Sequence, residues 1–458
     1  MEQEEERSPE ELWKEQMEQF VEALGRADLE KINDMYQHMH PVDLAEAMED
    51  WEDELIGQLI SLADDEKLAQ LLEEAGEELQ VKMTGFLDNS RILTIFGFMQ
   101  KDDIVDLLGN LKINRRKQLI DLMRVGEQKI ITELLGYDEE SAGGIMTTAY
   151  IALNGQLTVG EALRKIKEIA PRTELIETIY VLNGAKQLVG TADLRDILIT
   201  DDGENLSSIS DEQLVCVTPE TDQEEVALLV SKYDLKAIPV VNPKRVLLGI
   251  VTVDDIIDVI MEEHTEDMLQ LAGVNKEENT HSTIPQSVSR RLPWLFVNLA
   301  TAFLASFAIR IFENVIAQVV ALSATMTIVT GMGGNAGNQT LSIMIRSIAL
   351  GEVELKKSWR LILKEAVIGL VDGVVMGIAT GLIVYFIYGN LYLGCIIFMA
   401  MIANQVIAGF SGAVIPLILK ALGQDPALAS SIFLTTATDV LGFFIFLSLA
   451  KAFLPLLM

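Results

Sequence analysis

Gly331-Met-Gly-Gly-Asn-Ala-Gly-Asn-Gln-Thr340 sits in the middle of an apolar run from Val315 to Leu350. A helix crosses the ~30 Å hydrocarbon layer of a bilayer in about 20 residues, so this run is too long for one straight crossing. Glycine and amide positions at that depth persist only where protein or water satisfies the backbone. The stretch reads either as a broken helix lining a polar path or as a close-packed glycine interface. In the second case Asn335 and Gln339 would bond between helices. There is no Gly-Lys-Thr or Gly-Lys-Ser ending, so it is a poor phosphate loop, and no ATPase motor shows elsewhere.

Working outward, the chain from Arg291 holds blocks long enough to span: Trp294 to Phe312, Val315 to Leu350, Leu361 to Tyr388, Leu391 to Leu419 and Ala427 to Leu457. Five crossings put the termini on opposite sides. Arg290, Arg291, Lys356, Lys357, Arg360, Lys364 and Lys420 gather at what would be the cytosolic ends, with Lys451 a mild exception. The N-terminal part is then cytosolic and the C-terminus outside. The last block reads Thr435-Thr-Ala-Thr-Asp-Val-Leu-Gly442. A carboxylate there costs roughly 2.5 to 3.5 kcal/mol on insertion scales, so Asp439 should face water, a partner or an ion. The bland alternative is pairing with Arg310 or Arg346, or bonding to the nearby threonines; Asp372 in the third block is more easily explained that way.

The 458-residue chain has a formal net charge of −33, distributed unevenly. Residues 1–280 carry 25 basic against 61 acidic side chains, and residues 281–458 ten against seven. An acidic balance of this kind excludes nucleic acid, whose phosphates need Lys and Arg. Cations are the natural partner. Cys216 and Cys395 lie in segments of different character, which argues against a disulfide framework. The start, Met1-Glu-Gln-Glu-Glu-Glu-Arg7, has neither the basic nor the apolar region of a signal peptide.

From about Ser8 to Tyr137 apolar residues recur at three and four, as in Leu68, Leu71, Leu72 and Ile104, Leu107, Leu108, which predicts short amphipathic helices. Pro41-Val-Asp43 and Asp102-Asp103 read as cap-like starts. Between Thr147 and Ile260 the period changes. Ile179-Tyr-Val-Leu182 and Ile238-Pro-Val-Val241 each lead to a glycine, a strand-like stretch and an acidic helix start, Gly190-Thr-Ala-Asp-Leu-Arg-Asp196 and Gly249-Ile-Val-Thr-Val-Asp-Asp255. The offset of 59 positions marks an internal repeat of strand, strand and helix, which looks like a tandem CBS pair.

The helix leaving the second unit carries Asp255, Asp258, Glu262, Glu263, Glu266 and Asp267, and like charges at i and i+4 repel. Alone, such a run is a solvated face. Leading into a membrane region, it is placed to couple ion binding to pore shape. His38, His40, His264 and His281 form no metal-ligand pair, so the oxygen ligands on offer suit a hard cation such as Mg²⁺ or Ca²⁺.

Tyr137-Asp-Glu-Glu-Ser-Ala-Gly-Gly-Ile-Met-Thr147, Gly249 to Ile256, Gly333-Gly-Asn-Ala-Gly-Asn-Gln339, and Asp425-Pro-Ala followed by Thr435 to Gly442 together resemble the MgtE family over nearly the whole chain. The resemblance implies a multidomain membrane protein. It would have an N-terminal α-helical superhelix (1–146), an α+β tandem CBS pair (147–264), a linker with a plug helix near Thr280 to Arg291 (265–291) and a five-helix transmembrane pore (292–458). It implies a homodimer in lipid, in a bacterial inner membrane, taking up Mg²⁺ and gated shut by cytosolic Mg²⁺. Asp439 would hold a hydrated Mg²⁺, assisted by the carbonyl of Thr435, with Asn335 beside the path and Asp425 at the cytosolic mouth. Sensor ligands carry over onto Asp222, Glu224, Asp234, Asp255, Asp258, Glu263, Glu266 and Asp267, and onto Asp102 and Asp106 in the helical domain. Some members bind ATP between CBS units, where Thr252 and Asp254 stand; the first unit departs with Asp193 in place of Thr252. Rival readings are a transporter coupled to H⁺ or Na⁺ and a non-transporting sensor. No nucleophile and base constellation suggests an enzyme.

Overall fold

In the computed structural model residues 9–170, 173, 175–276, 278, 282–353, 358–428 and 430–457 are described. They divide into two compact units, Met1–Ile257 and Asp258–Met458. Both cysteines are free.

The first unit begins with ten helices, α1 (Pro9–Gly25) to α10 (Val125–Leu134). Their joints are set locally. Asp28, Asp64 and Asp88 each end a loop and accept a hydrogen bond from the backbone N–H three residues on, at Lys31, Lys67 and Arg91. Arg91 also donates to Asp65 at 2.8 Å and to the carbonyls of Ile60 and Ala63 at 2.7 Å, which ties neighbouring helix ends together. The predicted stripe of Leu68, Leu71, Leu72, Ile104, Leu107 and Leu108 is buried. The cap-like starts differ from expectation. His40 caps α3 (Pro41–Glu49), and Gln100 precedes α8 (Lys101–Asn110), so Asp43, Asp102 and Asp103 lie in first turns, where a carboxylate meets the positive end of the helix dipole.

The predicted repeat is present residue by residue. β1 (Ile151–Asn154) pairs parallel with β2 (Thr178–Leu182), which pairs antiparallel with β3 (Leu188–Asp193); β4 (Ala237–Val241) and β5 (Leu247–Thr252) form the matching hairpin. Every bound of the second hairpin is that of the first plus 59. Lys186 and Arg245, themselves 59 apart, both take φ near +60° at the hairpin turns. The two turns meet where Leu188 donates to the carbonyl of Arg245 at 2.8 Å. Helices α11 (Val159–Ile169), α12 (Leu194–Ile199) and α13 (Gln223–Tyr233) complete the pair. The segment before β1 is stitched on by backbone bonds from Ala142 to Thr221, Gly143 to Pro219 and Thr147 to Ile250. A Cβ at Gly144 would lie 2.3 Å from the Asp138 carbonyl, so only glycine fits that turn. α14 (Val253–Leu271) leaves β5 without a break and runs through the division between the units.

The second unit contains α15 (Ile284–Arg310), α16 (Glu313–Gln318), α17 (Ala321–Ala349), α18 (Trp359–Tyr388), α19 (Leu391–Ala421), α20 (Ser430–Ala452) and α21 (Leu454–Leu457). Among the described residues α15, α18, α19 and α20 are long and apolar enough to cross a membrane. α17 has 29 residues, about 43 Å at 1.5 Å each, but its glycines and amides lower its hydropathy. α18 and α19 close on each other without intervening side chains. A Cβ on Gly369, Gly373, Gly377 or Gly381 would fall 2.3 to 3.0 Å from backbone atoms of Gln405, Ile402, Phe398 and Gly394 in turn. Small residues at every fourth position let two backbones approach in this way.

Two expectations are corrected. Gly331–Thr340 is continuous helix within α17, and the chain breaks earlier, at Val319 and Val320. The glycines are used for packing: a Cβ on Gly333 would strike the Asn404 amide and one on Gly337 the Leu434 side chain. In its described part, the stretch expected as a separate connecting helix is the first third of α15, which continues through Pro293. Thr280, His281, Lys356 and Lys357 lie outside the described residues.

Candidate functional site

α20 places Asp439 half-buried in the membrane unit. Among the described residues it makes no ion pair with Arg310 or Arg346, both of which are exposed. The surrounding threonines bond to the helix instead: Thr438 donates to the carbonyls of Leu434 and Thr435 at 3.1 Å, Thr435 to Ser431 and Thr436 to Ile432. These bonds satisfy hydroxyls in an apolar helix without using the carboxylate. α17 packs against α20 and leaves Thr327, Gly331, Asn335, Asn338, Gln339, Ser342 and Arg346 exposed, a polar stripe at helical spacing.

At one end of the bundle the tail of α14 docks through Leu271, which packs against Leu341, Ile345, Ala427 and Leu434. Asp267 is half-buried here, near Asp425, Glu263 and Glu266. Burial first, and then these carboxylates, push its pKa up to about 6. Asp425 accepts from the Ala427 N–H at 2.8 Å, which holds the loop before α20. Gln270 donates to Glu266, and Lys276 pairs with Glu266 at 3.3 Å. Further on, Arg291 of α15 pairs with Glu278 at 2.5 Å.

In the first unit the acidic positions are spread out. Asp222 caps α13 by accepting from Glu224 N–H at 2.9 Å, and Asp234 ends the same helix in the left-handed conformation. Thr252 is buried and donates to Asp255 at 2.5 Å, so an expected nucleotide contact and an expected cation ligand are bonded to each other. Asp254 is exposed beside them, as are Asp106 on α8 and Asp258 on α14. Asp102 accepts from the buried Thr147 hydroxyl at 3.2 Å. Among the described residues no three Asp, Glu, His or Cys side chains are grouped to hold a metal ion.

Comparison with known proteins follows this division. The pattern described as the MgtE intracellular N domain matches residues 39–140, the CBS domain matches 142–201 and 206–262, and the MgtE divalent cation transporter pattern matches 326–449. The magnesium transporter MgtE of Enterococcus faecalis is 38% identical over 322 residues, 70% of this chain and 71% of the relative. That of Bacillus subtilis is 37% identical over 321 residues, with 70% and 71% covered.

The chain belongs to the MgtE family.

A crystal structure of the soluble part of a magnesium transporter superposes with a TM-score of 0.52 at 30% identity, covering 55% of this chain and 99% of that one. The cytosolic domain of the Mg²⁺ channel MgtE in complex with ATP gives 0.51 at 32%, covering 52% and 98%. Within this MgtE fold Asp425, Glu263 and Glu266 lie within electrostatic reach of Asp267, whereas Asp222, Glu224 and Asp234 sit on α13 or at its caps and Asp102 and Asp106 on α8. Sequence reasoning missed Glu365, Asn404 and Gln405, all buried between MgtE helices. Their signal was available: an acid and two adjacent amides inside apolar blocks are costly at membrane depth. Asn404 donates to the Val329 carbonyl at 2.7 Å and is gripped by Gly333 and Gly442, linking α17, α19 and α20 one turn from Asp439.

Proposed function

We propose that this chain is one subunit of a homodimeric Mg²⁺-selective channel or transporter that takes up magnesium across a bacterial inner membrane and is shut by cytosolic Mg²⁺. Its relatives are named magnesium transporters, and a neighbouring structure is titled a Mg²⁺ channel. The observation that carries the reading is Asp439, a half-buried carboxylate with no ion-pair partner among the described residues, on a helix packed against α17, whose polar stripe is exposed. Lipid does not accept such a face, and a second copy across a two-fold axis covers it and encloses water.

Five helices, with α17 counted beside the four more apolar ones, form the pore. The N-terminus is cytosolic and the first turns of α15 serve as the plug. Mg²⁺ sheds water reluctantly and prefers octahedral oxygen coordination, so two symmetry-related Asp439 carboxylates hold it through its shell. The Thr435 carbonyl and Asn335 line the same path. Asp425 with Asp267, Glu263 and Glu266 takes ions at the cytosolic mouth. Asp222, Glu224, Asp234, Asp255, Asp258, Asp102 and Asp106 supply the remaining sensor ligands. One site at five times its dissociation constant contributes about 1 kcal/mol, whereas inverting a 1:99 equilibrium takes about 5.5 kcal/mol. Roughly five sites are therefore needed, which dispersed acidic positions provide. ATP binds the CBS pair at Thr252 and Asp254, the Thr252 hydroxyl oxygen accepting from the nucleotide while it donates to Asp255.

Mg²⁺ flux into liposomes tests the reading. Wild type should conduct and Asp439→Ala should not, with the fold intact by thermal melting. Retained flux in Asp439→Ala would refute the pore assignment, and a bilayer current that follows the Mg²⁺ gradient alone would separate a channel from a coupled transporter.

A further inference from the structure

A cavity of about 170 Å³ lies between α17, α18 and α19, lined by Gln339, Thr340, Lys364, Glu365, Asp372 and Gln405 among others. No residue of α20, which carries Asp439, lines it. Three of its polar side chains are almost completely enclosed: Glu365 is 4% exposed, Thr340 7% and Gln405 2%. The Thr340 hydroxyl donates to one Glu365 oxygen at 3.3 Å, and the mostly exposed Lys364 ammonium stands 3.9 Å from the other. The Gln405 Oε1 is buried without any donor. Backbone contact closes the walls, since a Cβ on Gly409 would meet the Glu365 carbonyl at 2.5 Å and one on Gly369 the Gln405 carbonyl at 2.3 Å.

The enclosed Glu365 carboxylate has one hydroxyl donor and the buried Gln405 amide oxygen has none, and an unsatisfied acceptor in a low-dielectric bundle is costly. The charge is also incomplete. Glu365 and Asp372 against Lys364 leave one net negative charge, at a depth where ionisable groups persist only with a partner.

We propose that the cavity is a binding site for one small monovalent cation of the Na⁺ class, held by Glu365, the Thr340 hydroxyl oxygen and the Gln405 amide oxygen. A single charge neutralises the site. A dication fits it poorly, because Glu365 is the only enclosed carboxylate, an ammonium already stands beside it, and Mg²⁺ requires a near-ideal octahedral shell. The ion locks α17 onto the α18–α19 seam, a role independent of conduction past Asp439.

The test uses the full-length protein in detergent with EDTA, melted in increasing NaCl with choline chloride holding the ionic strength constant. Wild type should show a saturable rise in melting temperature with Na⁺, and Glu365→Gln should show none. Thr340→Val, which keeps shape and removes one ligand, should need at least tenfold more Na⁺ for the same rise; it carries the test if Glu365→Gln fails to fold. Binding of radioactive ²²Na⁺ should follow the same order. Four results would each overturn the proposal: equal melting in NaCl and choline chloride, a Na⁺ response unchanged in both variants, a response to MgCl₂ but not NaCl that Glu365→Gln removes, or a shift with pH alone that marks a protonated Glu365.

Discussion

The Thr147 hydroxyl donates to an Asp102 carboxylate oxygen at 3.2 Å, joining the helical domain to the segment whose backbone bonds Ile250 in the CBS pair. A buried donor facing a charged acceptor contributes about 1.5 to 3 kcal/mol. Thr147→Val should therefore lower the unfolding free energy of the first unit in urea by about 1 to 2 kcal/mol, while Thr147→Ser should not. Limited proteolysis between α10 and β1 should speed up only in the valine variant.

Asp267 gives a pH dependence of definite sign. Its pKa is raised from the ordinary 3.8 to about 6 by burial and by Asp425, Glu263 and Glu266. The docking of α14 is therefore strongest with the acid protonated, below about pH 4, and weakens as pH rises through about 6. Because the group is only partly enclosed, the loss should be about 1 kcal/mol after solvent screening. Melting in EDTA between pH 4 and 7 should reveal it as a slope that Asp267→Asn removes. If Mg²⁺ binds here, calorimetry near pH 6 in two buffers should show proton release in wild type only.

The α18–α19 seam leaves no room for a methyl group. Gly373→Ala would place its Cβ 2.7 Å from the Ile402 Cα. Overpacking of this kind costs about 1 to 3 kcal/mol, so the melting temperature in detergent should fall by several degrees. Gly334→Ala, where nothing lies within 4 Å, should not lower it.

The Thr252–Asp255 bond couples the expected nucleotide site to an expected cation ligand. Thr252→Val releases Asp255 and removes a contact from the expected nucleotide site. Equilibrium dialysis should show ATP affinity falling about tenfold or more, the effect of losing a bond of about 1.4 kcal/mol. An unchanged ATP affinity would remove Thr252 from that site.

Much of this was legible in the chain. The offset of 59 predicted both hairpins, because strand, turn and helix start are local signals and the repeat reads them twice. The stripe of Leu68, Leu71 and Leu72 gave the buried face of its helix for the same reason. The glycine stretch misled because hydropathy records that Gly333 and Gly337 are small without recording what approaches them; Asn404 and Leu434 come from elements about 70 and 100 residues away. Asp439 stood out alone in its block, whereas Glu365 needed Thr340 and Gln405 beside it before it became a site. The acidic candidates were recognisable as residue types, but their grouping depends on tertiary placement, as where Asp267 meets the charges of Asp425, Glu263 and Glu266.

The ladder of Gly369, Gly373, Gly377 and Gly381 against α19 bears on how the protein is made. α18 and α19 are consecutive and joined only by Gly389 and Asn390, a shorter loop than those before α18 and after α19, so this glycine seam has little loop to close. These two helices can pair as soon as both have left the ribosome and partition into lipid as a finished hairpin. α20, which follows them in the chain, then brings Asp439 to a hairpin already assembled.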